Sequence, residues 1–200
     1  MATIGLDKLY YSKITEGEDG EESYGTPMML AKAIKAELSI ELVEAILHAD
    51  DGVAEIIKDF KSGKLTLGVD DVGVTAAQDL TGATTDDNGV LISASENSGN
   101  PVAVGFRAMK PNGTYRYFWI YKVKFAVPSD SLATKGDSIT FQTPKIEGTV
   151  MRRNKLDSKG RHPWKAEVTE GDQGVAAATI SDWYKTVYEP SYTGGGGTSG

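Results

Sequence analysis

Cysteine is absent from this 200-residue chain, which excludes disulfides, thiolate metal sites and thiol nucleophiles. Histidine is scarce: His48 and His162 lie far apart and neither stands in ligand spacing with the other, a poor basis for a zinc site. No apolar run approaches the ~20 residues of a membrane span, and the start MATIGLDKLYY lacks the basic flank and apolar centre of a secretory signal. A glycine-rich phosphate loop and a G-x-S-x-G elbow are also missing. Asp70-Asp71 and Asp86-Asp87-Asn88-Gly89 lack the alternating oxygens and closing Glu of a calcium loop, and read as turn formers. No cofactor, metal or catalytic residue is expected, and the chain reads as a non-enzyme.

What is present is ordinary globular material with a surplus of turns. Hydrophobic residues make up 40% and charged residues 24%, and 23 glycines point to many short strands. A chain of this length buries roughly 70% of its unfolded surface. The net charge of −7 is unevenly placed. Glu16, Glu18, Asp19, Glu21 and Glu22 crowd one stretch, and removing them takes the net charge from −7 to −2. Arg152, Arg153, Lys155, Lys159, Arg161 and Lys165 crowd another, against Asp157 alone. The molecule is electrically two-ended, unless both stretches are simply solvated loops.

Two hairpins stand out. In PVAVGFRAMKPNGTYRYFWIYKVKFAVP (101–128), a two-residue turn at Asn112-Gly113 sets Val102 against Val123, Val104 against Tyr121, Phe106 against Trp119 and Ala108 against Tyr117. Earlier, a turn at Asp51-Gly52 sets Leu38 against Leu65, Ala36 against Leu67 and Ile34 against Val69. Nearer that tip Ile46 meets Ile57, Leu47 meets Ile56 and Val43 meets Phe60, so the ribbon is apolar on both sides. A pair of helices explains Leu38, Leu42, Ala45 and Ile46 as one stripe, but not the alternation of KLTLGV at 64–69. A hairpin over about 33–70 is the better reading. Further strands are expected at 6–14, 90–94, 138–152 and 164–169. Short helices are expected at TAAQDLTG, with Thr75 and Gln78 in capping-box spacing, and at VAAATISDWYKTVYEP, with Ile180, Trp183, Tyr184 and Val187 on one face. YTGGGGTSG closes the chain as a flexible tail or linker, so residues 1–190 form one domain and 191–200 the tail. A basic loop and a greasy hairpin tip in one chain suit a molecule that repeats head to tail.

Three stretches, MATIGLDKLYYSKITEGEDGEESYGTP, LATKGDSITFQTPKIEGTVMRRN and GRHPWKAEVTEG, resemble the major tail protein of long, non-contractile-tailed phages and prophages of Gram-positive bacteria, and the likeness runs from Thr3 to about Pro190. The resemblance implies a mainly β fold: a β-sandwich or partial barrel with a long hairpin and one or two flanking helices. It also implies a virion structural protein, made in the host bacterial cytoplasm, that forms hexameric rings stacked into a tail tube. Its partners would be further copies of itself, tape-measure, initiator and terminator proteins, and DNA passing through the lumen without sequence specificity, with no membrane. The family has no catalytic residues to carry over.

On the residues themselves, three surfaces are expected. Ile46, Leu47, Ile56, Ile57 and Phe60 would be covered by a neighbouring subunit, or else by the C-terminal helix of the same chain. The acidic residues 16–22 would meet the basic residues 152–165 of the next ring. Glu37, Glu41 and Glu44 would line the lumen. The competing readings are a carbohydrate-binding β-sandwich using Trp164 or exposed tyrosines as sugar platforms, and a hydrolase whose paired carboxylates meet only in space.

Overall fold

The computed structural model describes residues 3–18, 20–49, 52–128 and 143–192, with side chains described outside 45–57. The elements run in order β1 (Gly5–Glu16), β2 (Glu22–Tyr24), β3 (Met28–Ala31), β4 (Ala33–Ala49), β5 (Gly52–Val69), α1 (Val74–Thr81), β6 (Thr84–Thr85), β7 (Leu91–Ile92), β8 (Pro101–Met109), β9 (Tyr115–Phe125), β10 (Lys145–Val150), β11 (Lys165–Thr169) and α2 (Ala177–Asp182). The fold is mainly β, as the sequence predicts. Residues 138–142 of one expected strand lie outside the described residues, and β10 occupies its later part.

Among the described residues nine strands join one antiparallel sheet along the path β2-β1-β8-β9-β10-β5-β4, with β11 added to β9 and β3 to β1. Only Lys32 separates β3 from β4. One stretch of chain therefore pairs with β1 at its start and with β5 thereafter, which joins the two ends of the path and curls the sheet around a core. Leu9, Leu65, Leu67, Val104, Ile120 and Ile146 fill that interior, and α1 covers it with Ala76 and Leu80. The helix starts at Gly73 with no side-chain cap. The expected capping box is not formed; Gln78 instead donates to the Thr85 hydroxyl. Gly82 ends the helix in the left-handed region, φ 74°, where a Cβ is disfavoured.

The β8–β9 hairpin departs from its expected register by one residue. Lys110 donates to Thr114 and Gly113 donates back to Lys110, so the connection spans Pro111-Asn112-Gly113 with Gly113 at φ 82°. That is a three-residue loop ending in a left-handed glycine, and not a two-residue turn. Val104 consequently pairs with Ile120, Phe106 with Phe118 and Ala108 with Arg116. A bulge at Tyr121-Lys122 then restores Val102 opposite Val123. Because a slip of one residue exchanges faces, Tyr117, Trp119 and Tyr121 leave the barrel interior and build a second core outside it.

That outer core is closed by the C-terminal segment. Trp183 and Val187 are buried against Trp119 and Tyr121, with Ile180 and Tyr184 beside them. All four residues expected on one helical face pack here, although α2 itself is only six residues long. The Trp119 indole N–H donates to the Trp183 carbonyl at 2.9 Å, and the Tyr121 hydroxyl to the Tyr188 carbonyl at 2.8 Å. Tyr10 stacks on Tyr184 with ring centres 4.8 Å apart.

Gly105, opposite Trp119, makes this layer possible: a Cβ there would sit 2.8 Å from the indole ring. Gly105→Ala should destabilise the fold by roughly 1–3 kcal/mol, as other overpacked cores are. Urea unfolding measures this; an unchanged midpoint would mean that Trp119 does not depend on the glycine.

Candidate assembly surfaces

The β4–β5 hairpin outruns the barrel. The last pair between β10 and β5 is Val150 with Gly63, and from there to Gly52 the ribbon extends a further roughly 36 Å at ~3.3 Å per residue. The register near its base follows the sequence, with Ala36 opposite Leu67 and Leu38 opposite Leu65. Ile34 does not pair with Val69 as expected. Ala33 does, and Ile34 falls at a register shift and is exposed. A second shift, with Lys61 as the extra residue on β5, offsets the distal half by one, so that Leu42 pairs with Phe60 and Ile46 with Ile56.

The side chains of Ile46, Leu47, Ile56 and Ile57 lie outside the described residues. Phe60 already has a partner in its own chain. Its ring stacks on Trp164 of the same chain, 5.0 Å between centres and 9° from parallel, so its cover is intramolecular. The cover is not the C-terminal helix either. What does stand uncovered on the described ribbon is Leu42 at 54% and Val43 at 51% exposure. The same stack removes Trp164 as an open sugar platform, and Tyr117 and Tyr121 are buried.

The acidic and basic stretches do meet, but within one chain. Glu22 is 1% exposed. Its carboxylate pairs with the Lys122 ammonium and accepts the N–H groups of Asn154 at 2.7 Å and Lys155 at 3.2 Å. Glu16 joins the same ammonium at 3.1 Å. Burial pushes the Glu22 carboxyl up, but Lys122 and the two N–H donors outweigh it and hold the group below the usual carboxylate range.

Arg153, fully buried, forms a forked pair with Glu189 at 3.0 and 3.2 Å and lies 4.2 Å from the centre of the Tyr121 ring. Lys155 reaches Glu189 at 3.2 Å. Arg161 pairs with Asp157 at 2.9 Å, and Lys159 lies over the Tyr192 ring. Burial raises the Asp157 carboxyl, yet the N–H and guanidinium of Arg161 and the N–H of Lys159 bring it down to about 2. Of the residues expected to pair between rings, Glu22 and Arg153 are buried with partners in their own subunit, and Glu16, Lys155 and Arg161 also have partners there. Buried charges require such partners, since an unpaired one is too costly to desolvate. Glu18, Glu21 and Arg152 remain on the exposed surface, and Asp19 lies outside the described residues.

Glu37, Glu41 and Glu44 do not form one row. A strand alternates sides, so Glu37 and Glu41 share a face and Glu44 occupies the other. Each carries a lysine: Lys35 on Glu37 at 2.8 Å, Lys61 on Glu41 at 3.5 Å and Lys58 on Glu44 at 3.2 Å. Among the described residues no three His, Asp or Glu side chains gather as a metal site, and no helix is long and apolar enough to cross a membrane.

Lys122 and Glu189, the distant partners in these clusters, lie outside both charged stretches of the sequence. The signal for Lys122 is a charge set directly between the apolar run Tyr117–Tyr121 and Val123 on β9.

Glu22→Gln should cost about 3 kcal/mol at neutral pH, the low end for breaking a buried pair because Glu16 stays beside Lys122. The Glu22 carboxyl titrates lower folded than unfolded, so its contribution is complete above the unfolded value and fades as pH falls from about 4.5. Denaturant midpoints from pH 7 to pH 3 should therefore converge for the two proteins at the acid end. Parallel curves would refute this role for Glu22.

No protein-family model and no curated protein matches the chain. Among solved structures, it is similar to the tube-terminating cap of the anti-feeding prophage, determined by cryo-EM, with 10% sequence identity and a TM-score of 0.44 over 85% of this chain and 93% of that one.

Proposed function

We propose that this protein is a structural subunit of a phage-type tail tube, self-assembling into stacked rings that form a conduit for DNA. The observation that carries the reading is the β4–β5 ribbon: past the Phe60–Trp164 stack it projects a further roughly 26 Å, and it holds Leu42 and Val43 in solvent. Burying the remaining half of such side chains against a neighbour gains about 1 kcal/mol each. Repetition of one hairpin contact around a ring multiplies that gain. The three resembling stretches of sequence support the same reading and supply the expectation of six subunits per ring and of tape-measure, initiator and terminator partners. They also supply its place in the virion tail. Catalysis has no part in this proposal.

Covered aromatic platforms count against a carbohydrate-binding module, since Trp164 lies under Phe60 and the strand tyrosines form the outer core.

Negative-stain microscopy of the purified protein at high concentration, beside light scattering, should show rings or hollow tubes. Leu42→Asp with Val43→Asp should give folded protein that stays monomeric under the same conditions. Tubes formed equally well by the double variant would sink the hairpin contact. Monomers of the parent protein, even with partner tail proteins added, would sink the tube.

A further inference from the structure

Two loops of this chain share one backbone arrangement and carry the same Asn-Gly step. In Asp86-Asp87-Asn88-Gly89-Val90 the Asp86 N–H donates to the Val90 carbonyl and the Gly89 N–H donates back to Asp86, both at 3.0 Å. In Lys110-Pro111-Asn112-Gly113-Thr114 the Lys110 N–H donates to the Thr114 carbonyl at 2.8 Å and the Gly113 N–H donates back to Lys110 at 3.0 Å. Gly89 and Gly113 both stand at φ 82°. Both asparagines and both glycines are exposed. Backbone shape and access to solvent are therefore matched, and the loops differ in what surrounds each side-chain amide.

The Asn112 Oδ1 accepts the Thr114 hydroxyl at 2.8 Å and the Thr114 N–H at 3.2 Å. A backbone N–H only donates, so the amide atom facing it is the oxygen, and the orientation of the side chain is fixed. Lys110 adds a cation to this loop. At Asn88 the equivalent N–H, that of Val90, goes to the Asp86 carboxylate at 2.8 Å, and the Asn88 N–H joins it at 2.9 Å. The Asn88 Nδ2 lies 3.4 Å from the other oxygen of that carboxylate. Val90 stands where Thr114 does and has no hydroxyl to offer.

We propose that Asn112 is a site of spontaneous covalent modification, cyclising onto the Gly113 nitrogen and opening to aspartate and isoaspartate, and that Asn88 is protected from the same reaction. The Gly113 nitrogen gives up its proton and bonds to Asn112 Cγ, and the carbonyl electron pair moves onto Oδ1. When that pair returns, the Cγ–Nδ2 bond breaks, and Nδ2 takes up the proton and leaves as ammonia. Water opens the resulting cyclic imide at Cγ to give aspartate, or at the main-chain carbonyl to give isoaspartate. The second product places an extra backbone carbon in the loop that sets the β8–β9 register. Two donors already aimed at Oδ1 stabilise the negative charge that develops there. Lys110 favours that charge, whereas the Asp86 carboxylate opposes it at Asn88. The hydrogen bond that holds each glycine N–H slows both sites alike and does not decide between them.

The test holds the purified full chain at neutral pH, samples it over time and maps its peptides by mass spectrometry, with isoaspartate counted by enzymatic methyl transfer. Asn112 should convert at least about fivefold faster than Asn88, the weight of one neutral hydrogen bond. Thr114→Val makes this position like Val90 and should slow Asn112 about fivefold while leaving Asn88 unchanged. Asp86→Asn removes the charge, keeps an acceptor for both N–H groups and should speed Asn88. Asn112→Lys is the blank. Lys159 already fills that place before Gly160 in a loop with the same two backbone bonds, Asp157 N–H to Arg161 and Gly160 N–H to Asp157, so the fold should stand while the signal from this loop disappears.

Equal rates at the two asparagines of the parent would overturn the proposal, as would an unchanged Asn112 rate in Thr114→Val. So would an Asn112 that stays intact while a free peptide of the same loop sequence converts. The comparison within the parent needs no variant, so it decides the matter even where a substitution disturbs the fold.

Discussion

A carboxylate removed from water must find its solvation elsewhere, and Glu22 finds it in three places at once. Lys122 is on the central strand β9, while the Asn154 and Lys155 N–H groups belong to the segment after β10. The chain is thereby tied together at points more than a hundred residues apart. That tie places Arg153 beneath the C-terminal segment, where Glu189 receives it, and the segment in turn covers Trp119 and Tyr121. The second core, the terminal cover and the basic stretch therefore depend on one buried ion cluster. Such a cluster adds less to stability than an apolar replacement would, but it tolerates few alternative arrangements.

The barrel and the hairpin place opposite demands on the same strands. Inside the barrel β5 alternates strictly, with Leu65, Leu67 and Val69 buried to nothing and Lys64, Thr66 and Gly68 turned outward. Past Gly63 no third strand lies beside β5 among the described residues, and the alternation is broken by Lys61. The bulge keeps Phe60 on the interior side, where Trp164 meets it. Without that extra residue the ring would turn to the opposite face, and the first exposed step of the ribbon would lose its anchor.

Much of this was legible in the sequence, for particular reasons. The pairs Ala36–Leu67 and Leu38–Leu65 follow from period-two alternation, and so does the choice of strands over helices there. Asn112-Gly113 identifies a hairpin, but two- and three-residue loops both accept it, and the difference of one residue decides which face carries Trp119. A bulge at Lys61 leaves no mark that a pattern of polar and apolar residues would reveal. The charged stretches point outward on the pattern alone, because charge runs generally do. Here Glu22 and Arg153 are exceptions, and only the distant residues Lys122 and Glu189 account for them.

The continuity of β3 and β4 across Lys32 also has a mechanical side. Residues 28–49 serve first as a stave beside β1 and then as an arm of the projecting ribbon. A pull along the ribbon is carried lengthwise into the barrel, where the hydrogen bonds to β5 and β1 share the load in shear. A pull across it opens the β4–β5 ladder one rung at a time, as a zip does. The molecule is thus stiff along the direction of its own hairpin and compliant at right angles to it.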